Sequence, residues 1–329
     1  MKASWYETFG AAAETINTGQ KPAAVAGPGE VLVRLKTSGV NPSDVKKRAG
    51  AFPTLLDDGF VIPHSDGAGV VEAVGGGVDS TRVGERVFVY QAQYGRRFGT
   101  AAEYVALDSS RAPGLPANTS FAIGACIGIP VMTAHRCVCA DGEVNGQTIV
   151  VTGGAGRVGF YAIQWAKYFG ATVIATASNP DDEKACLEVG CDYVVNHRDE
   201  NWGEQVLACT HGKKVDRVID VEFGANLSQV LHFIRTGGTI VTYSSTQVPD
   251  PKLPFLQMMF MDLSIRMVIV YAMPEPAKAQ AIADTVRLLE ANELRHRIAH
   301  SLPFHEIVKS HQLIEQGGFR GCVVVNIDE

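Results

Sequence analysis

Apolar and polar positions alternate over short stretches through the first 120 residues. EVLVRLKTSGV (30–40) alternates and is β-rich, and GVVEAVG (69–75), ERVFVY (85–90) and TAAEYVAL (100–107) follow the same pattern. Gly and Pro clusters separate them, which predicts an irregular β-rich domain rather than a run of βαβ units. Residues 117–138 read as helix. From residue 148 the pattern changes: TIVVT (148–152), TVIATA (172–177), DYVVN (192–196), RVIDVE (217–222) and TIVTYS (239–244) are apolar runs of the buried-strand type. Helical periodicity at 157–169 and at 183–190 falls between them. Strand and helix in alternation predict a parallel sheet covered on both faces. LSIRMVIVY (263–271) adds a strand at the far edge.

Two amphipathic helices follow, at 277–294 and 304–317, and then a closing strand, GCVVVNI (321–327). By composition that strand belongs with the early β-rich part. The expected organisation is therefore discontinuous, with 1–124 plus 271–329 forming the β-rich domain and 125–270 the sheet domain inserted into it. The chain has 329 residues and is 46% hydrophobic, enough for two cores.

Charge narrows the function. The formal net charge is −6 with no run of like charges, and a nucleic-acid binder would show a basic face. The N-terminus lacks an apolar h-region and no window approaches the length of a membrane span, so no membrane partner and a cytoplasmic location are expected. All seven cysteines lie at Cys126 or later. Their odd number fits free thiols in a reducing compartment, with Cys137 and Cys139 as packing residues.

The strongest chemical signal is VVTGGAGRVGFYAIQWAKYFG (150–170). A G-x-G-x-x-G motif that follows a strand and opens a helix is a dinucleotide fingerprint. Gly154 is expected to permit the tight turn, Gly156 to admit a pyrophosphate, and Gly159 to let the helix pack on the sheet. The contact span is Gly153, Gly154, Ala155, Gly156, Arg157, Val158 and Gly159, with the helix N-terminus facing the phosphates. The second strand ends Ala177-Ser178-Asn179-Pro180, without the acid that bonds an NAD ribose; Asp181 and Asp182 come after the proline. Ser178 and Asn179 can donate to a 2′-phosphate. Lys184 and His197-Arg198 either add to that site or sit on solvated surface. NADPH is therefore favoured over NADH. Val221 and Tyr243-Ser244-Ser245 lie at the C-terminal ends of strands, where ligands bind in open α/β sheets.

Several segments together resemble one family. GVNPSDVKKRAG (39–50), IPHSDGAGVVEAVG (62–75) and IGIPVMTAHRCV (127–138) are similar to the medium-chain dehydrogenase/reductase superfamily, within it the zinc-independent quinone oxidoreductase (zeta-crystallin-like) branch. The similarity runs over nearly the whole chain. It implies an α/β fold in which a Rossmann doubly wound parallel-sheet domain is inserted into a GroES-like β-rich catalytic domain, with NADPH between them. It also implies a homodimer through Rossmann edge strands, for which LSIRMVIVY is the candidate.

The resemblance also implies roles. Asn41 contacts the nicotinamide ribose or the acceptor oxygen, and Thr133 contacts cofactor. Asp44 orients the Asn41 loop or caps a local turn. Lys46 replaces a tyrosine common in this branch; it donates to a developing enolate or hydroquinone oxygen, or points to solvent. Arg320 reaches an NADPH phosphate or lies on the surface. In the loop QAQYGRRFG (91–99), Tyr94 and Phe98 line an acceptor pocket with Arg96 and Arg97 at its rim, or the loop is simply exposed. Zinc-dependent members carry Cys and His where this chain has Asn41 and Ser65, with His64 one place off, so no metal is expected. The activity implied is NADPH-dependent hydride transfer to a quinone or an activated α,β-unsaturated carbonyl. The alternatives are an enoyl-thioester reductase of the same superfamily and a non-catalytic zeta-crystallin-like RNA-binding or structural protein.

Overall fold

The structure, a computed structural model, describes residues 1–328. The chain divides into two compact units, Met1–Ile129 with the residues from Ile282 on, and Pro130–Ala281. The unit boundaries fall after Ile129 and Ala281 rather than after 124 and 270.

The first unit is built on a sheet in the order Ile298–Pro303, Cys322–Asn326, Glu30–Val40, Asp66–Val74, Arg86–Val89, with Tyr104–Asp108 also paired to Glu30–Val40. A small antiparallel pair, Lys2–Trp5 with Asn17–Gln20, completes it. Glu30–Val40 is the organising strand. Val31, Val33 and Leu35 are wholly buried while Arg34 is exposed, so the period-2 pattern puts one face on the core. From Thr37 to Val40 both faces are buried, and Gly39 stands opposite Asp66 in the register. The closing strand pairs antiparallel with Glu30–Val40 through Val323 opposite Val40.

The second unit is a six-stranded parallel sheet. Its order is Ser264–Met267, Ile234–Thr242, Val215–Asp220, Thr148–Val151, Thr172–Ala177, Tyr193–Asn196. The chain starts in the middle, runs to one edge, returns and runs to the other, so the switch point lies between Thr148–Val151 and Val215–Asp220. Val150, Ile174, Val218 and Ile240 are wholly buried, as expected of strands covered on both faces. Of 263–271 only Ser264–Met267 pairs, as the edge strand.

Three local expectations change. Residues 117–138 are a short helix, Phe121–Gly124, a π-helical turn, Ile127–Val131, and a helix, Met132–Cys139. The Asn41 segment forms a helix, Pro42–Arg48, instead of a loop. Strand Ile298–Pro303 and helices Trp202–Cys209 and Phe223–Phe233 are additional to the expected elements. All seven cysteines are free thiols. Among the described residues no helix is long and apolar enough to cross a membrane.

Candidate active site

In the β-rich unit, the chemistry collects where Glu30–Val40 hands over to the Pro42–Arg48 helix. Proline at the first helical position suits the fixed φ of a helix start. Asn41 precedes it in an extended conformation, and its backbone N–H donates to Oδ2 of Asp44 at 2.9 Å. Asn41 is thus the helix N-cap, and Asp44, at the third helical position, bonds back to it and fixes its orientation. The Asn41 side chain is buried, and its Nδ2 donates to Oδ2 of Asp66 at 2.9 Å.

Asp66 is fully buried. Its Oδ2 also accepts the backbone N–H of Ile129 at 2.8 Å. A Cβ on Gly128 would overlap Oδ1 of Asp66, so only glycine lets the π-helical turn approach this closely. Burial pushes the Asp66 carboxyl up to about 8, against the hydrogen bonds from Ile129 and Asn41. At neutral pH it therefore carries a proton. Because Oδ2 already accepts two N–H groups, the proton belongs on Oδ1, which has no hydrogen-bond partner.

Two lysines follow Asn41, and the fold separates them. Lys46 is exposed, whereas Lys47 is buried. Nζ of Lys47 donates to the Gln93 carbonyl at 2.8 Å and to Oγ of Ser65 at 3.3 Å. Burial lowers the pKa of Lys47, while Asp44 and Asp66 oppose that shift. The structure places Lys46 at the surface. Lys47 and Asp66 were missed as site residues.

His64 turns away from Ser65. It adopts a left-handed backbone (φ 77°), and its Nδ1 lies 2.8 Å from Oγ of Ser38. The tautomers follow from the chain of donors. Thr100 Oγ1 donates to the Asp66 carbonyl at 2.6 Å. Ser38 Oγ, 2.7 Å away, must then donate to Thr100 and accept from His64 Nδ1. His64 Nε2 is left as an acceptor, taking the proton of His311 Nε2 at 3.0 Å. Burial lowers the His64 pKa to about 3 and pushes His311 well down, so both rings are neutral. Beside them Arg48 is fully buried and pairs with Glu315 and the Gly10 carbonyl.

In the parallel-sheet unit, the glycine loop runs from the end of Thr148–Val151 into the Arg157–Tyr168 helix. Its turn is made at Gly153 (φ 60°), not at Gly154. Gly154 is required for another reason: its Cβ would stand 2.7 Å from Cβ of Ala175 and 2.9 Å from Sγ of Cys186. At Gly159 a Cβ would overlap the Gly153 carbonyl, so the close helix approach expected there is present. Gly156 is the N-cap, without a side chain to occupy the helix N-terminus, which suits a phosphate. Thr176 anchors the loop by accepting the Gly153 N–H at 2.9 Å. Thr152 Oγ1 donates to buried Asp220 at 2.7 Å, and the Val221 N–H donates to Thr152 Oγ1 at 2.9 Å. That places Val221 beside Gly153, 3.0 Å from where a Cβ would be.

The other predicted contacts are distributed unevenly. Ser178 and Asn179 line a cavity of about 360 Å³ with Glu183, Asn196 and Gln205. Asn179 is the N-cap of Pro180–Glu188: its Oδ1 accepts the Asp182 N–H at 2.9 Å, and its Nδ2 donates to Asp182 at 2.8 Å. Its amide thus caps the helix and keeps one Nδ2 proton beyond the bond to Asp182. Lys184 is exposed and 3.9 Å from Glu188, the solvated-face alternative. His197 is exposed, with its backbone N–H on the Ala177 carbonyl. Tyr243, Ser244 and Ser245 follow Ile234–Thr242, but Ser245 Oγ is taken up by the Gly224 N–H and the Val248 carbonyl. Thr133 is buried on Met132–Cys139. Arg320, in the first unit, is exposed.

Comparison with known proteins places these features. Residues 158–288 match the zinc-binding dehydrogenase family and residues 27–117 the alcohol dehydrogenase GroES-like domain family. A quinone oxidoreductase of Pongo abelii is 30% identical over 88% of this chain and 86% of its own. A quinone oxidoreductase of Pseudomonas aeruginosa is 29% identical over 88% of both chains. The solved structure of an NAD-dependent alcohol dehydrogenase superposes with a TM-score of 0.87 at 27% identity, covering 99% of this chain and 100% of the other.

Proposed function

The chain belongs to the quinone oxidoreductase branch of the medium-chain dehydrogenase/reductase superfamily, and on that basis we propose that it is a zinc-independent, NADPH-dependent reductase of quinones or of alkenes conjugated to a carbonyl. It is an oxidoreductase by family. The observation that carries the finer reading is the Asn41–Asp66–Lys47 cluster.

A tetrahedral zinc site needs anionic or imidazole donors. At the two positions in question stand an amide whose Nδ2 proton points at Asp66 and a serine hydroxyl held by an ammonium. A cation already occupies the neighbourhood, and the nearby histidine is engaged with His311. These residues do not fit the metal. Without a Lewis acid an alkoxide is poorly stabilised, whereas an electron-poor acceptor needs mainly orientation and a few donors.

The glycine loop fits a dinucleotide, which supplies the hydride when bound. The N-terminus of Arg157–Tyr168 presents backbone N–H groups, and Thr152, Thr176 and Asp220 hold the loop in shape. No carboxylate directly follows Thr172–Ala177 in the chain, and that supports NADPH, although Glu183 lines the same cavity as Ser178 and Asn179. Asn41, locked by Asp44 and Asp66, offers a fixed amide that polarises the acceptor carbonyl. We also propose a homodimer through the free edge of Ser264–Met267, where Phe255, Leu256, Phe260 and Met267 are exposed.

The test is NADPH oxidation by pure protein with 1,4-benzoquinone, an alkenal and crotonyl-CoA, with metal content measured on the same sample. Turnover of the quinone or the alkenal without bound zinc is expected. Stoichiometric zinc, tighter NADH than NADPH binding, or turnover of crotonyl-CoA alone would each overturn a part of it. Absence of turnover with all three would favour a binding protein.

A further inference from the structure

The β-rich unit contains a cavity of about 720 Å³ that shares no lining residue with the Asn41–Asp66 cluster. Its walls come from the segment after Asn17–Gln20, from Phe60, and from the end of the 91–99 loop. Arg96, Arg97 and Phe98 line it, whereas Tyr94 does not.

The polar and aromatic groups in this cavity are arranged together. The Phe60 and Phe98 rings are 6.1 Å apart and nearly perpendicular. The Arg97 guanidinium lies 4.5 Å from the Phe60 centroid and 5.0 Å from that of Phe98. The Lys21 ammonium lies 4.1 Å from Phe60 and 4.0 Å from Trp5. Such stacking holds long cationic side chains in place and removes part of their water. Arg97 donates to the Asp58 carbonyl at 2.6 Å and Arg96 to the Ala106 carbonyl at 2.5 Å. Each guanidinium has five N–H donors, so both keep donors for a ligand.

Charge decides the ligand class. Lys21, Arg96 and Arg97 face the cavity, and Glu30, 3.9 Å from Arg96, is the one carboxylate in the lining. Glu7, 3.7 Å from Lys21, and Glu30 offset two of these charges, and Arg97 leaves the cavity positive in a chain whose net charge is −6. The rest of the wall, including Pro22, Ala24 and Ile62, is apolar. Inorganic anions lack the apolar body to cover that wall, and neutral rings leave the cations unmatched. The size is that of a small-molecule site.

We propose that this cavity is a binding site for a planar aromatic anion of the aryl carboxylate or aryl sulfonate class, separate from the reductase site. The flat ring packs against Phe60 and Phe98, and the anionic group takes the remaining donors of Arg97 and Arg96. The inference stands on the cavity and not on the reductase reading.

The test is calorimetric titration of the full chain with 2-naphthoate, and with 2-naphthamide as its neutral counterpart. Saturable binding of the acid is expected, with the amide at least about tenfold weaker. Arg97→Gln should weaken the acid by about tenfold while leaving the thermal unfolding midpoint and NADPH affinity unchanged. Saturating NADPH should leave 2-naphthoate affinity as it was. Failure of the acid to bind at millimolar concentration, equal binding of acid and amide, or displacement of the acid by NADPH would overturn the proposal. The acid–amide comparison needs no variant, so a misfolded Arg97→Gln protein would not shield it.

Discussion

Nδ2 of Asn41 donates to Oδ2 of Asp66 across 2.9 Å, in a place where both groups are buried and the carboxyl is protonated at neutral pH. The bond ties the start of one helix to the start of a neighbouring strand, because Gly39 and Asp66 are paired two residues before Asn41. It fixes the amide that the proposed chemistry uses.

Asp66 gives the protein a pH signature. Its folded pKa, about 8, is above that of the unfolded chain, so between about pH 4 and pH 8 the folded state keeps a proton that the unfolded state releases. Stability from this group is full below that window and falls as pH rises through it. Asp66→Asn should flatten the fall, removing a slope worth on the order of a few kcal/mol across the window. Urea unfolding of both proteins at several pH values checks this; parallel pH profiles would contradict it.

The adjacent lysines should respond in opposite ways. Lys46→Met is expected to change kcat/KM by less than about twofold, as for an exposed side chain away from special features. Lys47→Met removes the donors to Ser65 and to the Gln93 carbonyl and takes a buried cation away from Asp44. A loss of about 1–3 kcal/mol in stability follows. Parallel denaturation and steady-state kinetics distinguish the two; equal effects would show the burial assignment to be wrong.

Gly159→Ala forces the Gly153 carbonyl to move, because the added methyl would overlap it. We expect about 1–3 kcal/mol of lost stability and at least about tenfold weaker NADPH binding. Gly142→Ala is a useful control: Gly142 has open space around it but φ 103°, so it should cost backbone strain with no change in cofactor affinity.

The apolar surface beside the edge strand predicts association. Phe260 is 80% exposed and Met267 72%, more than a monomer gains from presenting to water. Sedimentation at micromolar concentration should give a dimer, and the double variant Phe260→Glu, Met267→Lys a monomer. A native monomer under those conditions would remove the proposal.

Much of the fold was legible in the chain. Val31, Val33 and Leu35 announced their strand by alternation, and the apolar runs of 148–244 announced a parallel sheet, because both are periodicities of a single element meeting one core. The Gly154-x-Gly156-x-x-Gly159 spacing located the tight turn from a strand into a helix. Its internal division of labour was not legible: that Gly153 makes the turn, and that Gly154 is pressed against Ala175 and Cys186, depends on neighbours 21 and 32 residues away. The cap that Asn179 makes was not legible, because a residue able to donate to a phosphate is equally able to cap the helix that follows it.

By itself, the sequence determined the two-part organisation, the elements with strong local pattern, the glycine-rich strand–helix turn and the Asn41 and Ser65 replacements, since each is carried by residue type at short spacing. The tertiary structure decided which of two neighbouring lysines is buried, that Asp66 holds a proton, that His64 faces His311 across 247 positions, and that Lys21 meets Arg97 over one ring. The reason is physical. Burial and electrostatic environment are properties of the assembled surroundings, and adjacent helical residues, about 100° apart around the axis, differ in fate only once the helix has something to pack against.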